Sequence, residues 1–212
     1  MEKDKFKIAF TETILNTFPE ILKQDVEKVI EILSFDKDYL FSPDSQTIYI
    51  DNEIINIPCR IYIDEPDPVK EKSLTEQQKI MLNCLFLRHH NGYIRQSRLE
   101  LLIDKTENYI TPFIFQLLGE YVIEILFVLD KHINDKTIDN YLKLINDNEK
   151  YWHQTKSRVI SYWNVYYRRP HYHSNLPSKY KNRKDYIGQQ IIERLNNANL
   201  QQRGSTSEFG NE

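Results

Sequence analysis

Residues 110–129 read ITPFIFQLLGEYVIEILFVL, and whether this run spans a membrane or fills a protein core decides the fold. Its length is close to that of a transmembrane helix. Gln116, Glu120 and Glu124 interrupt it. A carboxylate at the bilayer centre costs roughly 2.5–3.5 kcal/mol on insertion scales, so two of them argue against a span. The run is read as a central core helix from Thr111-Pro112 to about His132, with proline at a tolerated first position. No membrane partner is expected.

On the C-terminal side, Ile138, Tyr141, Leu142 and Ile145 mark a helix over 137–149. Val159, Ile160, Trp163, Tyr166 and Tyr167 fall at i, i+1, i+4, i+7 and i+8. That spacing is one apolar stripe of a helix over 155–169, ended by Pro170. Residues 171–184 read as loop, and 186–196 as a last amphipathic helix. The tail QQRGSTSEFGNE, 201–212, is polar, and disorder is expected there. Its Gly-Ser and Glu-Phe dipeptides are of the kind that cloning sites leave.

On the N-terminal side, Thr75 and Gln78 form a T-x-x-Q capping box before the apolar run IMLNCLFL, 80–87. Asn91-Gly92 then predicts a tight turn into a helix bearing Ile94, Leu99, Leu102 and Ile103. This helix pair, with RHHNGYIRQ (88–96) at its junction, is similar to a HEAT-type helical repeat over about 30 residues. No second copy is visible, and membership of that family is not claimed.

Upstream, DEPDPVKEK (64–72) is a charged, Pro-bearing linker. QTIYI, Asp51-Asn52 and EIINIPCRIYI, 46–63, predict a β-hairpin with a turn pair between β-branched strands. Phe6, Phe10, Ile14 and Leu15 mark a first helix, Pro19 interrupts it, and Val26, Val29, Ile30 and Leu33 mark a second.

The expected fold is mainly α: a helical bundle or irregular helical-repeat-like array of about seven helices with one small hairpin near 46–63. The expected organisation is 1–70 as N-terminal helices plus hairpin, 71–200 as a helical core, and 201–212 as tail. Hydrophobic content of 40% and charged content of 28% fit a globular chain rather than a disordered one. Five glycines leave little room for Gly-rich phosphate loops, and neither G-x-x-x-x-G-K-[ST] nor G-x-G-x-x-G occurs. Cys59 and Cys84 form no CxxC pair, and Met1-Glu-Lys-Asp-Lys has no apolar signal region. Free thiols and no secretory signal lead to a cytoplasmic expectation. No cofactor is expected.

The charge pattern supplies the first candidate site. Nine basic residues and no carboxylate lie between Lys150 and Lys184, leaving the remainder with 19 basic and 31 acidic residues, −12 against +9. Tyr151, Trp152, Tyr162, Trp163, Tyr166, Tyr167, Tyr172 and Tyr180 are interleaved with those charges. The candidate partner-binding residues are Arg168, Arg169, His171, His173, Lys179, Lys181, Arg183 and Lys184. Such a surface suits a protein partner, since binding hot spots are rich in aromatics and arginine. It also suits nucleic acid, where cations neutralise phosphates and rings stack on bases. The plain alternative is that the charges meet the protein's own acidic remainder, with the Trp163–Tyr167 stripe in the core.

A second candidate is Gln116, Glu120 and Glu124, spaced by four so as to share one helix face. With Arg158 or Arg95 they form internal ion pairs. With His89, His90, His132 or His153 the carboxylates would hold a metal for hydrolysis. The H-x-H pair His171–His173 sits in a loop without an acidic ligand nearby. Ser157 and Ser161 lack a nucleophile-elbow context, and Cys84 lies in an apolar run. The reading that needs no missing residue is a non-enzymatic interaction or scaffold protein. Nucleic-acid binding through 150–184 comes second, and a metal-dependent hydrolase using Glu120 and Glu124 third.

Overall fold

The structure is a computed structural model that describes residues 2–34, 40–168 and 180–208, with side chains described over 8–34, 40–168 and 180–204. It is mainly helical, with ten α-helices and one two-stranded hairpin among the described residues. The chain divides into two compact units, 1–114 and 115–212.

In the first unit, α1 (Glu2–Leu15) and α2 (Lys23–Glu31) precede the hairpin. Phe10 and Ile14 of α1 and Val26, Val29 and Ile30 of α2 are buried, as their helical spacing requires. Strands β1 (Ser45–Ile50) and β2 (Glu53–Pro58) pair antiparallel, with Ile50 opposite Glu53 and Ser45 opposite Pro58. Asp51 and Asn52 both have left-handed backbone, at φ 48 and 68. Two such residues twist a two-residue turn to match the strands, and Asp and Asn tolerate that region. Ile48, Ile50, Ile55 and Ile57 bury one face of the hairpin, while Ile54 on the other is exposed. Pro58, lacking an N–H, ends β2.

The stretch 64–72 lies inside the first unit and carries α3 (Pro68–Lys72), capped by Asp67 Oδ1 accepting from the Val69 N–H at 2.8 Å. Arg98 holds this stretch in place. Its guanidinium donates to Glu65 at 2.8 and 3.0 Å, to Glu71 at 2.6 and 3.0 Å and to Asn83 Oδ1 at 3.0 Å. Helix α4 (Glu76–Phe86) begins with the complete capping box of Thr75 and Gln78, and α5 (Gly92–Glu100) is capped by Asn91. The first turn of α4 is tied to α2 by Gln78 Nε2, which donates to Asp25 at 2.8 Å.

In the second unit, the long helix expected over 111–132 is broken. Helix α6 (Thr111–Gln116), inside which the two units divide, gives way to a 3-10 turn over Leu117–Gly119. Glu120 and Val122 are extended, and α7 runs only from Ile123 to His132. Helices α8 (Ile138–Asp147), α9 (Glu149–Tyr162) and α10 (Ile187–Glu208) complete the unit. Here α10 packs against α7, α8 and α9, and α9 packs against the 3-10 turn at 117–119. The core is aromatic: Phe115 meets Tyr151 edge-on at 5.4 Å and Trp152 at 5.7 Å.

Gly188 is a point of close approach. A methyl group there would lie 2.8 Å from Tyr186 Cε1 and 3.0 Å from Val159 Cγ1, so glycine lets α10 reach α9. Helix α10 extends well past the apolar stripe that ends near Leu195, running through residue 208 of the polar tail. No described helix is long and apolar enough to cross a membrane.

Candidate functional site

The basic segment begins on α9. Tyr151, Trp152, Thr155 and Val159 are its buried face, at spacings of three and four. The stripe then fails to continue inward: Ile160 already faces outward within the regular helix, and the backbone widens to a π-helical turn over Trp163–Tyr167. A π turn shifts the angular position of each later side chain, so period 3.6 no longer predicts which face is buried. Trp163 and Tyr167 are half-buried and Tyr166 is 38% exposed. Ile160 and Val165, at 40% and 49%, are exposed as well. The expectation that Ile160 and Tyr166 belong to a core stripe is therefore corrected.

Tyr166 does not stand alone. Its ring stacks on Tyr121, with centroids 4.9 Å apart and planes 21° apart. Tyr162 closes the group, 5.9 Å from Tyr121 and 6.0 Å from Tyr166. Tyr121 is itself 44% exposed. It reaches this place because the chain is extended between α6 and α7. Beneath these rings, Tyr167 donates its hydroxyl to the Tyr121 carbonyl and stacks on Tyr186 at 4.9 Å. Burial, and then the nearby charge of Glu124, push the Tyr167 phenol up to about 12. Burial also raises Tyr186. Tyr167 and Tyr186 are thus neutral at physiological pH, and Tyr167 acts as a donor.

The cations of the segment are placed by other contacts. Arg168 is exposed, with its guanidinium 5.7 Å over the Trp163 ring and Nη1 donating to Asn164 Oδ1 at 3.0 Å. Arg158 is exposed on α9, its stem passing Gly119. The chain returns at Tyr180, whose carbonyl accepts from Trp163 Nε1 at 3.0 Å and whose ring meets Tyr167 edge-on. Lys181, Arg183 and Lys184 come directly after it and are all exposed. Arg168 therefore rests on Trp163, and Lys181 follows Tyr180, the residue whose carbonyl Trp163 donates to. Arg169, His171, His173 and Lys179 lie outside the described residues.

The acidic residues do not lie along one continuous helix. Gln116 is buried at the end of α6, Glu120 is 2% exposed on extended backbone, and Glu124 is exposed on α7. Spacing by four puts residues on one face only within one helix, and the chain is not helical throughout 116–124. His132 is buried and its Nδ1 lies 2.8 Å from the Tyr141 hydroxyl. His153 is exposed on α9. In the first unit the His89 ring is engaged at both nitrogens, at 3.1 Å from the Ile63 carbonyl and 3.0 Å from the Asn91 N–H. Among the described residues no three His, Cys, Asp or Glu side chains are grouped so as to hold a metal ion. Cys84 is free and fully buried, and burial raises its thiol well above the ordinary value.

Tyr121 is the surface residue that sequence reasoning missed. It lies 29 positions before the basic segment begins, within the run read as continuous helix. The available signal was Gly119 followed by Glu120 inside an otherwise apolar run. In comparisons with protein-family models, curated proteins and solved structures, nothing matches this chain.

Proposed function

We propose that the chain is a non-enzymatic helical interaction protein that docks a protein partner on the tyrosine–cation face of its second unit. The observation that carries this reading is the exposed Tyr121–Tyr166 stack in a unit whose Arg158, Arg168, Lys181, Arg183 and Lys184 are exposed as well. Exposed aromatics on rigid elements lose little entropy on binding, and tyrosine and arginine dominate binding hot spots. Two free thiols, one of them buried, suit the reducing interior of a cell.

Nucleic acid is the competing reading, because the same cations would neutralise phosphates. One experiment separates them. Affinity capture from nuclease-treated host extract with the full chain is expected to retain a discrete protein that the Tyr166→Ala, Arg168→Glu double variant loses. Capture that depends on nucleic acid, or that the double variant retains undiminished, contradicts the proposal.

A further inference from the structure

We infer that His89 is an acid-operated latch: on protonation its ring lets go of the Asn91 backbone and the turn between α4 and α5 opens, while the stretch 61–63 stays bound. The device lies in the first unit and is independent of the docking face proposed above.

Residues 61–63 run past the end of α4. Ile61 bridges to both Phe41 and His89; its N–H donates to the Arg88 carbonyl at 2.9 Å and its carbonyl accepts from the His90 N–H at 3.0 Å. The His89 ring links this stretch to the next helix. It is 3% exposed, with Nε2 3.1 Å from the Ile63 carbonyl and Nδ1 3.0 Å from the Asn91 N–H. A peptide N–H only donates, so Nδ1 accepts and the one ring proton sits on Nε2. Asn91 in turn caps α5, its Oδ1 accepting from the Tyr93 N–H at 2.9 Å. The neutral imidazole is thus one link in the chain of bonds that starts α5.

A second proton can go only on Nδ1, directly against the Asn91 N–H. Two donors then face one another, whereas the bond to Ile63 keeps its donor. The new charge is also poorly placed. The His90 ring lies 4.3 Å away, and Arg95 of α5 donates Nη1 to the His89 and His90 carbonyls at 2.7 and 3.0 Å. Arg88 donates to the Pro58 and Cys59 carbonyls. Arg98 of α5 lies over Phe86, the ring on which His89 stacks, and is paired with Glu65 and Glu71. Glu65 favours the imidazolium, but burial and His90 outweigh it. The closed turn therefore prefers the neutral ring, and opening takes up a proton. The opening stays local because other bonds hold the neighbours. Ile61 keeps the Arg88 carbonyl, and the start of α4 keeps its capping box and the Gln78–Asp25 bond.

The test is amide hydrogen exchange on the full chain, read by NMR in low urea at about pH 7.5 and about pH 5 and corrected for intrinsic rates. The Asn91, Tyr93 and Arg95 amides are expected to lose about fivefold in protection on acidification, the equivalent of one hydrogen bond. Their exchange is expected to be nearly independent of urea, the mark of a local opening, with Ile61 remaining better protected than they are. His89→Gln, whose amide accepts and donates without titrating, is expected to abolish the acid response. Should that variant not fold, the ring nitrogen shifts of the unaltered His89 serve instead, passing from the Nε2–H tautomer to imidazolium in step with the amide loss. Undiminished protection at about pH 5, exchange of 91–95 that follows urea as steeply as the interior of α4, an acid response that survives in His89→Gln, or ring titration out of step with the amides overturns the inference.

Discussion

Tyr167 donates its hydroxyl hydrogen to the backbone carbonyl of Tyr121, tying the π-helical end of α9 to the bend between α6 and α7. The two segments that build the exposed tyrosine group are joined at this bond. Its geometry explains why a residue in the 110–129 run sits among the aromatics of the basic segment.

Replacing Tyr167 by Phe keeps the stack on Tyr186 and removes only the hydrogen bond. The expected cost is about 1 kcal/mol, the net worth of one such bond, read as a lowered urea midpoint at unchanged slope. The spectrophotometric phenol titration should also lose a step near pH 12, where burial and Glu124 place Tyr167.

Gly188→Ala tests the approach of α10 to α9. Alanine is the better helix former, but its methyl would collide with Tyr186 Cε1 at 2.8 Å. Overpacking is expected to outweigh the propensity gain, for a net loss of roughly 1–2 kcal/mol in chemical denaturation. A more stable variant would show that Tyr186 moves aside freely.

Arg98→Ala removes the donor that gathers Glu65, Glu71 and Asn83. Burial alone would lower the guanidinium's pKa, but the hydrogen bonds and charges of Glu71 and Glu65 outweigh it and hold that pKa raised. Both carboxylates reach water once released, so the expected loss is about 2–3 kcal/mol rather than that of a stranded buried charge. Faster proteolysis within 64–72 should accompany it.

His89 gives the first unit an acid sensitivity. Its Nδ1 accepts from the Asn91 N–H, so the proton sits on Nε2, facing the Ile63 carbonyl. Burial and then the neighbouring His90 lower its pKa, while the Ile63 carbonyl and Glu65 pull the other way. The unfolded ring titrates near 6.5 and so binds a proton first as pH falls. The stabilisation is therefore complete above that value and is lost as pH falls through the lower folded value. Urea midpoints should drop between about pH 7 and pH 5, and His89→Gln should flatten that change.

Much of the fold was legible where local chemistry is self-sufficient. Thr75 and Gln78 announce the start of α4, and Asp51-Asn52 between β-branched runs announces the hairpin. The failures lie where the period itself changes. From 110 to 129 Gln116, Glu120 and Glu124 recur every four residues, a rhythm that reads as one unbroken helix and hides the break at Gly119-Glu120. Along α9 the rhythm is clear as far as Val159, but the π turn rotates the side chains from Trp163 on, and Tyr166 emerges where a core position was expected. The cations Arg168, Lys181, Arg183 and Lys184 were legible from charge, and the structure adds that they are exposed. Tyr121 was not, since only folding brings it to Tyr162 and Tyr166.

A photo-reactive amino acid in place of Val165, beside Tyr166, tests the docking face most directly. Irradiated in the native host, it is expected to give a discrete protein adduct that Arg168→Glu abolishes. The same group at Tyr93, exposed in the first unit, should not give that adduct. Adducts to nucleic acid alone, or a protein adduct formed equally from position 93, would contradict the account.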